Sequence, residues 1–201
     1  MLLSINPEHP EPRKVRRAVE LLEAGEVIAY PTDTAYGLGC DLFNKKAIDK
    51  LCTIKRLANP QKLTFICPDL SDIARYAIVD NQQYRLLKRV LPGPYTFILE
   101  ATREVPKIIQ SRKKTVGIRV PQHEVVIAIV RELGHPVITS TAALPGEDPM
   151  IDPSEIDDAF WGLALVLDGG VGGMVPTTVV DLSTGDIEVV REGAGPVDAL
   201  G

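Results

Sequence analysis

The chain has 201 residues, 45% of them hydrophobic and 24% charged, which excludes a disordered chain and leaves room for one domain with its own core. The net charge of −5 argues by itself against a nucleic-acid partner, but it is unevenly spread: 16 Lys and Arg against 6 Asp and Glu lie between Lys45 and Arg119, a local balance of +10, and the remainder carries −15. That partition predicts an anion-binding region inside an acidic shell.

Taken in chain order, the first element is a helix over Pro12 to Ala24, with an apolar stripe of Val15, Ala18, Val19, Leu21 and Leu22, Pro12 suited to its first turn and Gly25 to its end. Glu26 to Tyr30 reads as a short strand, and Pro31-Thr-Asp-Thr-Ala-Tyr-Gly-Leu-Gly39 as a structured loop, because Pro and two Gly punctuate it. Lys45 to Lys55 reads as helix, Leu63 to Cys67 as strand, Ser71 to Tyr76 as a short capped helix, and Asn81 to Leu91 as a helix stopped by Pro92-Gly-Pro94. Strands follow over Tyr95 to Ala101 and Thr115 to Val120, then a buried, almost continuously apolar helix over Glu124 to Leu133. Pro136 to Thr139, Leu163 to Leu167, Thr177 to Leu182 and Ile187 to Arg191 complete the strands.

Helices and strands alternate through short connections, which predicts an α/β fold with helices covering a twisted, mixed sheet. The whole of 1–201 reads as a single domain; Gly, Pro and acids cluster from Pro145 to Pro153, but too little follows them for a second core. The first residues, MLLSINPEHPEPRK, lack the apolar run of a signal peptide, and no stretch approaches the roughly 20 apolar residues of a membrane span, so no membrane partner and a cytoplasmic location are expected. Cys40, Cys52 and Cys67 are scattered without a CxxC pair and read as small buried residues. The three histidines, His9, His123 and His135, stand apart near prolines and read as turn residues.

No GxxxxGK[ST] loop, HExxH, GxSxG or GxGxxG occurs. What remains is a set of hydroxyl, Gly-Pro and basic motifs at strand ends, where open α/β sheets gather ligand groups. Arg119 lies between Ile118 and Val120 in an apolar strand, so it is either held in an internal salt bridge or set as a bidentate clamp on a carboxylate or phosphate. Lys55, Arg56 and Lys62 read as a solvated helix end or as an anion site, and Thr32 and Thr34 as turn caps or ligand contacts. Arg112-Lys113-Lys114 reads as a solvated loop or as the electrostatic footprint of a nucleic acid.

Several of these motifs, in this order, resemble the YrdC family over nearly the whole chain. Pro31 to Gly39 is similar to its opening signature, Leu91-Pro-Gly-Pro-Tyr-Thr96 to its PGP-x-T element, Gly117-Ile-Arg-Val-Pro121 to its GxRxP strand, and Pro176-Thr-Thr-Val-Val-Asp181 with Arg191-Glu-Gly193 to its closing elements. Thr96-Phe-Ile-Leu, Arg103-Glu-Val-Pro106 and Ala143-Leu-Pro-Gly146 are closer to the YciO branch. The resemblance implies an open twisted mixed sheet with a concave basic cleft, and the ligand set of threonylcarbamoyl-AMP synthesis. That set is L-threonine, bicarbonate and ATP with Mg²⁺, leading to threonylcarbamoyl-adenosine in tRNA, together with an association with double-stranded RNA. It further implies that Thr34 and Lys62 contact substrate, that Lys55 and Arg119 supply catalytic cations, that Ser140 and Thr141 bind near the adenylate, that Thr178 faces the threonine pocket and that Arg191 faces the nucleotide. Arg112, Lys113 and Lys114 would meet nucleic acid.

Two departures stand against the synthase pattern. Its Lys-x-Arg-Pro element appears here as Thr53-Ile-Lys55-Arg-Leu, which puts Lys55 where an Arg would be, and its Ser-Ala-Asn segment appears as Thr141-Ala-Ala143, without the Asn amide. Three functions therefore stay open: a nucleotide-binding enzyme of the synthase type, a non-catalytic RNA-binding or ribosome-associated protein, and an unrelated small-molecule or hydrolytic role.

Overall fold

The computed structural model describes residues 1–58, 60 and 63–201. Its strands are β1 (Leu2–Ser4), β2 (Ile28–Tyr30), β3 (Gly37–Asp41), β4 (Thr64–Ile66), β5 (Ala77–Ile78), β6 (Tyr95–Ala101), β7 (Thr115–Arg119), β8 (Val137–Thr141), β9 (Leu165–Asp168), β10 (Thr178–Asp181) and β11 (Glu188–Arg191). Its helices are α1 (Pro12–Glu23), α2 (Lys45–Ile54), α3 (Leu70–Tyr76), α4 (Asn81–Val90), α5 (Glu124–Leu133) and α6 (Pro153–Ala159). Ten of the strands join in the order β1-β9-β2-β3-β8-β4-β7-β6-β10-β11, and β5 pairs with β6. The sheet is mixed: β1, β9 and β2 run parallel, as do β4 with β7 and β6 with β10, while β2-β3, β3-β8, β8-β4, β7-β6 and β10-β11 are antiparallel.

Helix ends follow their local chemistry. Asn44 caps α2 through Ala47 N–H, Asp80 and Gln83 form a reciprocal capping box on α4, and Gly134, at φ 77°, ends α5 in the left-handed region. His123 is a cap rather than a plain turn residue: its Nδ1 accepts Val125 N–H at 3.3 Å. Asp152 and Pro153 open α6, in the stretch that reads from sequence as a possible boundary.

Two apolar clusters lie on opposite faces of the sheet. Val116, Ile118 and Val120 of the β7 region point into one cluster with Phe97 and Leu99, covered by α2, α3, α4 and α6. Ile28, Tyr30, Ile66, Val137, Leu165 and Leu167 point into the other, covered by α1 and α5. The period of 2 along a strand then places Gly117 and Arg119 on the second face, together with Thr96 of β6. Among the described residues, the apolar cluster under α1 and α5 takes its strand residues from β2, β4, β8 and β9 and none from β7, β6, β10 or β11.

Strands β1 and β5 and helix α6 are not among the elements expected from the sequence, and β3 runs against that reading. Gly37-Leu-Gly39 is not loop but the start of β3, paired with β2 and β8. Its glycines are there for space: a Cβ on Gly37 would lie 2.9 Å from the Tyr30 ring and one on Gly39 2.7 Å from it.

Candidate anion site around Arg119

Arg119, at the end of β7, is 8% exposed and stands in register with Ile66 on one side. On the other side Phe97 pairs with Ile118, so Thr96 comes opposite Arg119; Val179 pairs in turn with Thr96, and Arg191 with Val179. One row across the sheet therefore carries Arg119, Thr96, Val179 and Arg191, with Gly117 and Thr64 one step below. The floor of the cleft between the two arginines is made of Thr96 and Val179, with Thr64 and Gly117 beside them.

The loop of residues 31–36 folds back over this row. Arg119 Nη2 donates to Thr34 Oγ1 at 2.9 Å, to Thr32 Oγ1 at 3.3 Å and to the Asp33 carboxylate. Of the two alternatives left open for Arg119, the structure shows the internal salt bridge, and its partner is Asp33. The pair is used on one side only: among the described residues, Arg119 Nε and Asp33 Oδ2 are buried with no hydrogen-bond partner. Burial lowers the Arg119 pKa and the Asp33 charge raises it; a guanidinium stays charged throughout. His123 lies in the same electrostatic neighbourhood, its pKa lowered by burial against the opposing pull of Asp33. Two residues past Arg119, Pro121 borders a depression of about 490 Å³ whose walls include Pro68, Pro92, His123 and Arg131.

At the other end of the row, Thr96 Oγ1 and Thr177 Oγ1 lie 2.9 Å apart, and Arg191 Nη2 donates to Thr177 O at 2.8 Å. Burial lowers the Arg191 pKa. Thr178 is fully buried on the opposite face, donates to Gly195 O at 2.6 Å and accepts Gly193 N–H at 2.9 Å. Alternation makes Thr177, not Thr178, the hydroxyl that joins the cleft.

Lys55 is also turned inward. Its amine donates to Thr141 O at 2.6 Å and to Ala143 O, and lies 5.6 Å from the centre of the Phe160 ring. It ties down the segment after β8 and does not meet Arg119 or Arg191 in this conformation. Ser140 and Thr141 are half-buried at the end of β8, where Gly37 pairs with Thr141 and Leu38 with Ser140. Lys62 lies outside the described residues. Arg112, Lys113 and Lys114 are exposed in the turn before β7, at the far end of that strand from Arg119.

A glycine-rich connection from β9 to β10 closes the side of the 31–36 loop. Gly173 N–H donates to Thr34 O at 2.7 Å, and Tyr36 Oη donates to Gly170 O at 2.8 Å and accepts Gly169 N–H at 3.1 Å. Burial pushes the Tyr36 hydroxyl up to about 12, so it stays protonated as that donor. Sequence reasoning missed Asp33 and Tyr36 as builders of the site, since their partners lie 86 and 134 residues away. Among the described residues no group of three or more His, Cys, Asp or Glu is gathered as a metal site, and no helix is long and apolar enough to cross a membrane.

Residues 20–193 match the Sua5/YciO/YrdC family model, described as telomere recombination. The YciO protein of Escherichia coli is 42% identical over 196 residues, covering 96% of this chain and 95% of that protein. Its crystal structure superposes with a TM-score of 0.95 over 100% of this chain and 98% of the other. The threonylcarbamoyl-AMP synthase of Hydrogenovibrio crunogenus is 33% identical over 174 residues, 85% of this chain and 94% of that protein. The crystal structure of P. abyssi Sua5 complexed with L-threonine is 26% identical with a TM-score of 0.91, covering 98% of this chain and 59% of that one.

Proposed function

Because the chain belongs to the Sua5/YciO/YrdC family, we propose that it binds L-threonine and an adenine nucleotide in the Arg119 cleft and joins them, through bicarbonate, as threonylcarbamoyl-AMP. The observation that carries this reading is the row of Arg119, Thr96 and Arg191 under the Thr32 and Thr34 hydroxyls, a donor-rich floor for carboxylate and phosphate oxygens. The threonine complex of P. abyssi Sua5 supports threonine as the amino acid.

In the reaction, threonine's amine and bicarbonate give a carbamate with loss of water. A carbamate oxygen then attacks the α-phosphorus of ATP, forming the P–O bond as the bond to the pyrophosphate leaving group breaks. Such a step needs positioning and charge stabilisation more than a protein nucleophile. Arg119 would fix an oxyanion, Thr34 and Thr177 would orient oxygens beside it, and Arg191 would face the phosphates. Mg²⁺ would arrive on the nucleotide's own phosphate oxygens and neutralise their charge.

The test is calorimetric titration with Mg-ATP, with and without threonine and bicarbonate, and a pyrophosphate assay on the same samples. We expect release of pyrophosphate that requires both co-substrates. Release indifferent to threonine, or none at all, would sink the synthase reading.

One feature favours a second reading, a non-catalytic RNA-binding role. Lys55 spends its donors on Thr141 and Ala143 carbonyls, whereas Arg112, Lys113 and Lys114 stand in solvent with no acidic partner among the described residues. ATP binding without turnover, or no binding, would favour it.

A further inference from the structure

Thr32, Asp33 and Thr34 meet Arg119 in two different ways. The hydroxyls are anchored by their own loop: Thr32 Oγ1 donates to Ala35 O at 2.6 Å and accepts Thr34 N–H at 3.2 Å, and Thr34 O accepts Gly173 N–H at 2.7 Å. The Asp33 side chain has no such anchor. Among the described residues its hydrogen bond to Arg119 is the one it makes, through Oδ1 alone, and Oδ2 and Arg119 Nε are buried without partners there.

We propose that Asp33 is a resident counter-ion that closes the Arg119 site, and that the carboxylate or phosphate of an incoming ligand displaces it and takes its place beside the Thr32 and Thr34 hydroxyls. The inference rests on Arg119 being the anion-binding group of the preceding section. Arg119 Nη2 has two N–H bonds and already serves three acceptors. An oxyanion reaching that edge must remove one of them, and the carboxylate is the one that the loop does not hold. Two anions on one buried guanidinium also repel, so Asp33 and the ligand exclude each other. A flat two-oxygen ligand can use the edge that Asp33 meets through one oxygen, which gives the ligand an advantage of geometry.

Such a site selects ligands. An oxyanion strong enough to displace Asp33 enters, whereas a neutral or single-acceptor molecule finds the guanidinium occupied. The affinity seen is the intrinsic affinity reduced by the fraction of molecules in which Asp33 has swung away.

The full chain, its Asp33→Asn variant and its Arg119→Lys variant are titrated calorimetrically with inorganic phosphate, with L-threonine and with Mg-ATP, at low and at about 0.5 M salt. The three probes separate a carboxylate occupant from a phosphate one. Asp33→Asn keeps an acceptor of the same shape without the charge; if it does not melt cooperatively, Asp33→Ser replaces it. We expect at least one probe to bind on the order of tenfold tighter to the Asp33 variant. The gain should persist at high salt and vanish when Arg119→Lys is added. Binding equal to or weaker than wild type in the Asp33 variant overturns the displacement, as does a gain that high salt removes, since that is long-range charge alone. Should Arg119→Lys leave every probe unchanged, the assignment of Arg119 as the clamp has failed, and the displacement with it.

Discussion

Lys55 sits where sequence reasoning puts a cation for phosphates, yet its amine faces two backbone carbonyls, Thr141 O at the end of β8 and Ala143 O just past it. Nothing in the sequence marks those partners, because a carbonyl exists at every residue and a lysine stem reaches in many directions. Burial pushes the Lys55 pKa down to about 8. An unfolded lysine titrates near 10.5, so between about 8 and 10.5 the unfolded chain holds more protons than the folded one. The sign follows: the cost of the charged, desolvated amine is fully present below pH 8 and is relieved as pH rises towards 10.5. A neutral amine still has two N–H donors for the two carbonyls. We therefore expect the urea stability of wild type, relative to Lys55→Met, to rise across that window. Parallel curves would mean that water reaches the amine. Arg119 shows the same limit of reading from sequence. Its flanking Ile118 and Val120 reveal a strand and an inward charge, but the choice of Asp33 as partner is made by a loop 86 residues away.

At the scale of elements, the strands and helices that carry continuous apolar periodicity were legible, and β3 was not. Gly37-Leu-Gly39 has the composition of a turn, and only the ring of Tyr30 crossing from β2 explains why a strand tolerates it. The Tyr30 hydroxyl completes the fit by reaching Thr139 Oγ1 on β8 at 2.7 Å. A Cβ at Gly39 would lie 2.7 Å from the Tyr30 ring and 2.7 Å from Val137 Cγ1, with covalent neighbours on both sides to resist movement. Gly39→Ala should therefore destabilise by about 1–3 kcal/mol, the cost of overpacking a filled core. A shift in urea midpoint at constant slope would measure it. An unchanged midpoint would show that the ring has room to tilt. The same kind of limit applies to Thr177 and Thr178: sequence places both in a strand, but which one faces the cleft depends on the register of β10 with β6.

Across the whole molecule, alternation of helix and strand was enough for the α/β class, whereas the placing of the cleft depends on strand order, which brings β10 beside β6, outside the apolar cluster under α1 and α5. The basic segment does not gather in one place as a result: Lys45, Lys46 and Lys50 lie on α2, and Arg85, Lys88 and Arg89 on α4. Arg119 lies inside the cleft, and Arg112, Lys113 and Lys114 lie beyond the opposite end of β7, whose five residues span about 13 Å between its first and last Cα. The turn holds without those three side chains: Ser111 Oγ and Thr115 Oγ1 are 2.7 Å apart, and Lys114 N–H donates to Ser111 O at 2.9 Å. Replacing the three cations by Glu should thus leave the fold and the Arg119 cleft intact. If the run is an RNA footprint, each phosphate it neutralises contributes about 0.7–0.9 to the slope of log affinity against log salt, so the charge reversal should lower that slope by about 2–3 and abolish binding to a short RNA duplex near physiological salt. Mg-ATP affinity should change little, because at that separation charges exposed to solvent are screened within a Debye length of about 8 Å. Equal loss of both ligands would place the run in support of the fold, and unchanged RNA affinity would remove it from the nucleic-acid surface.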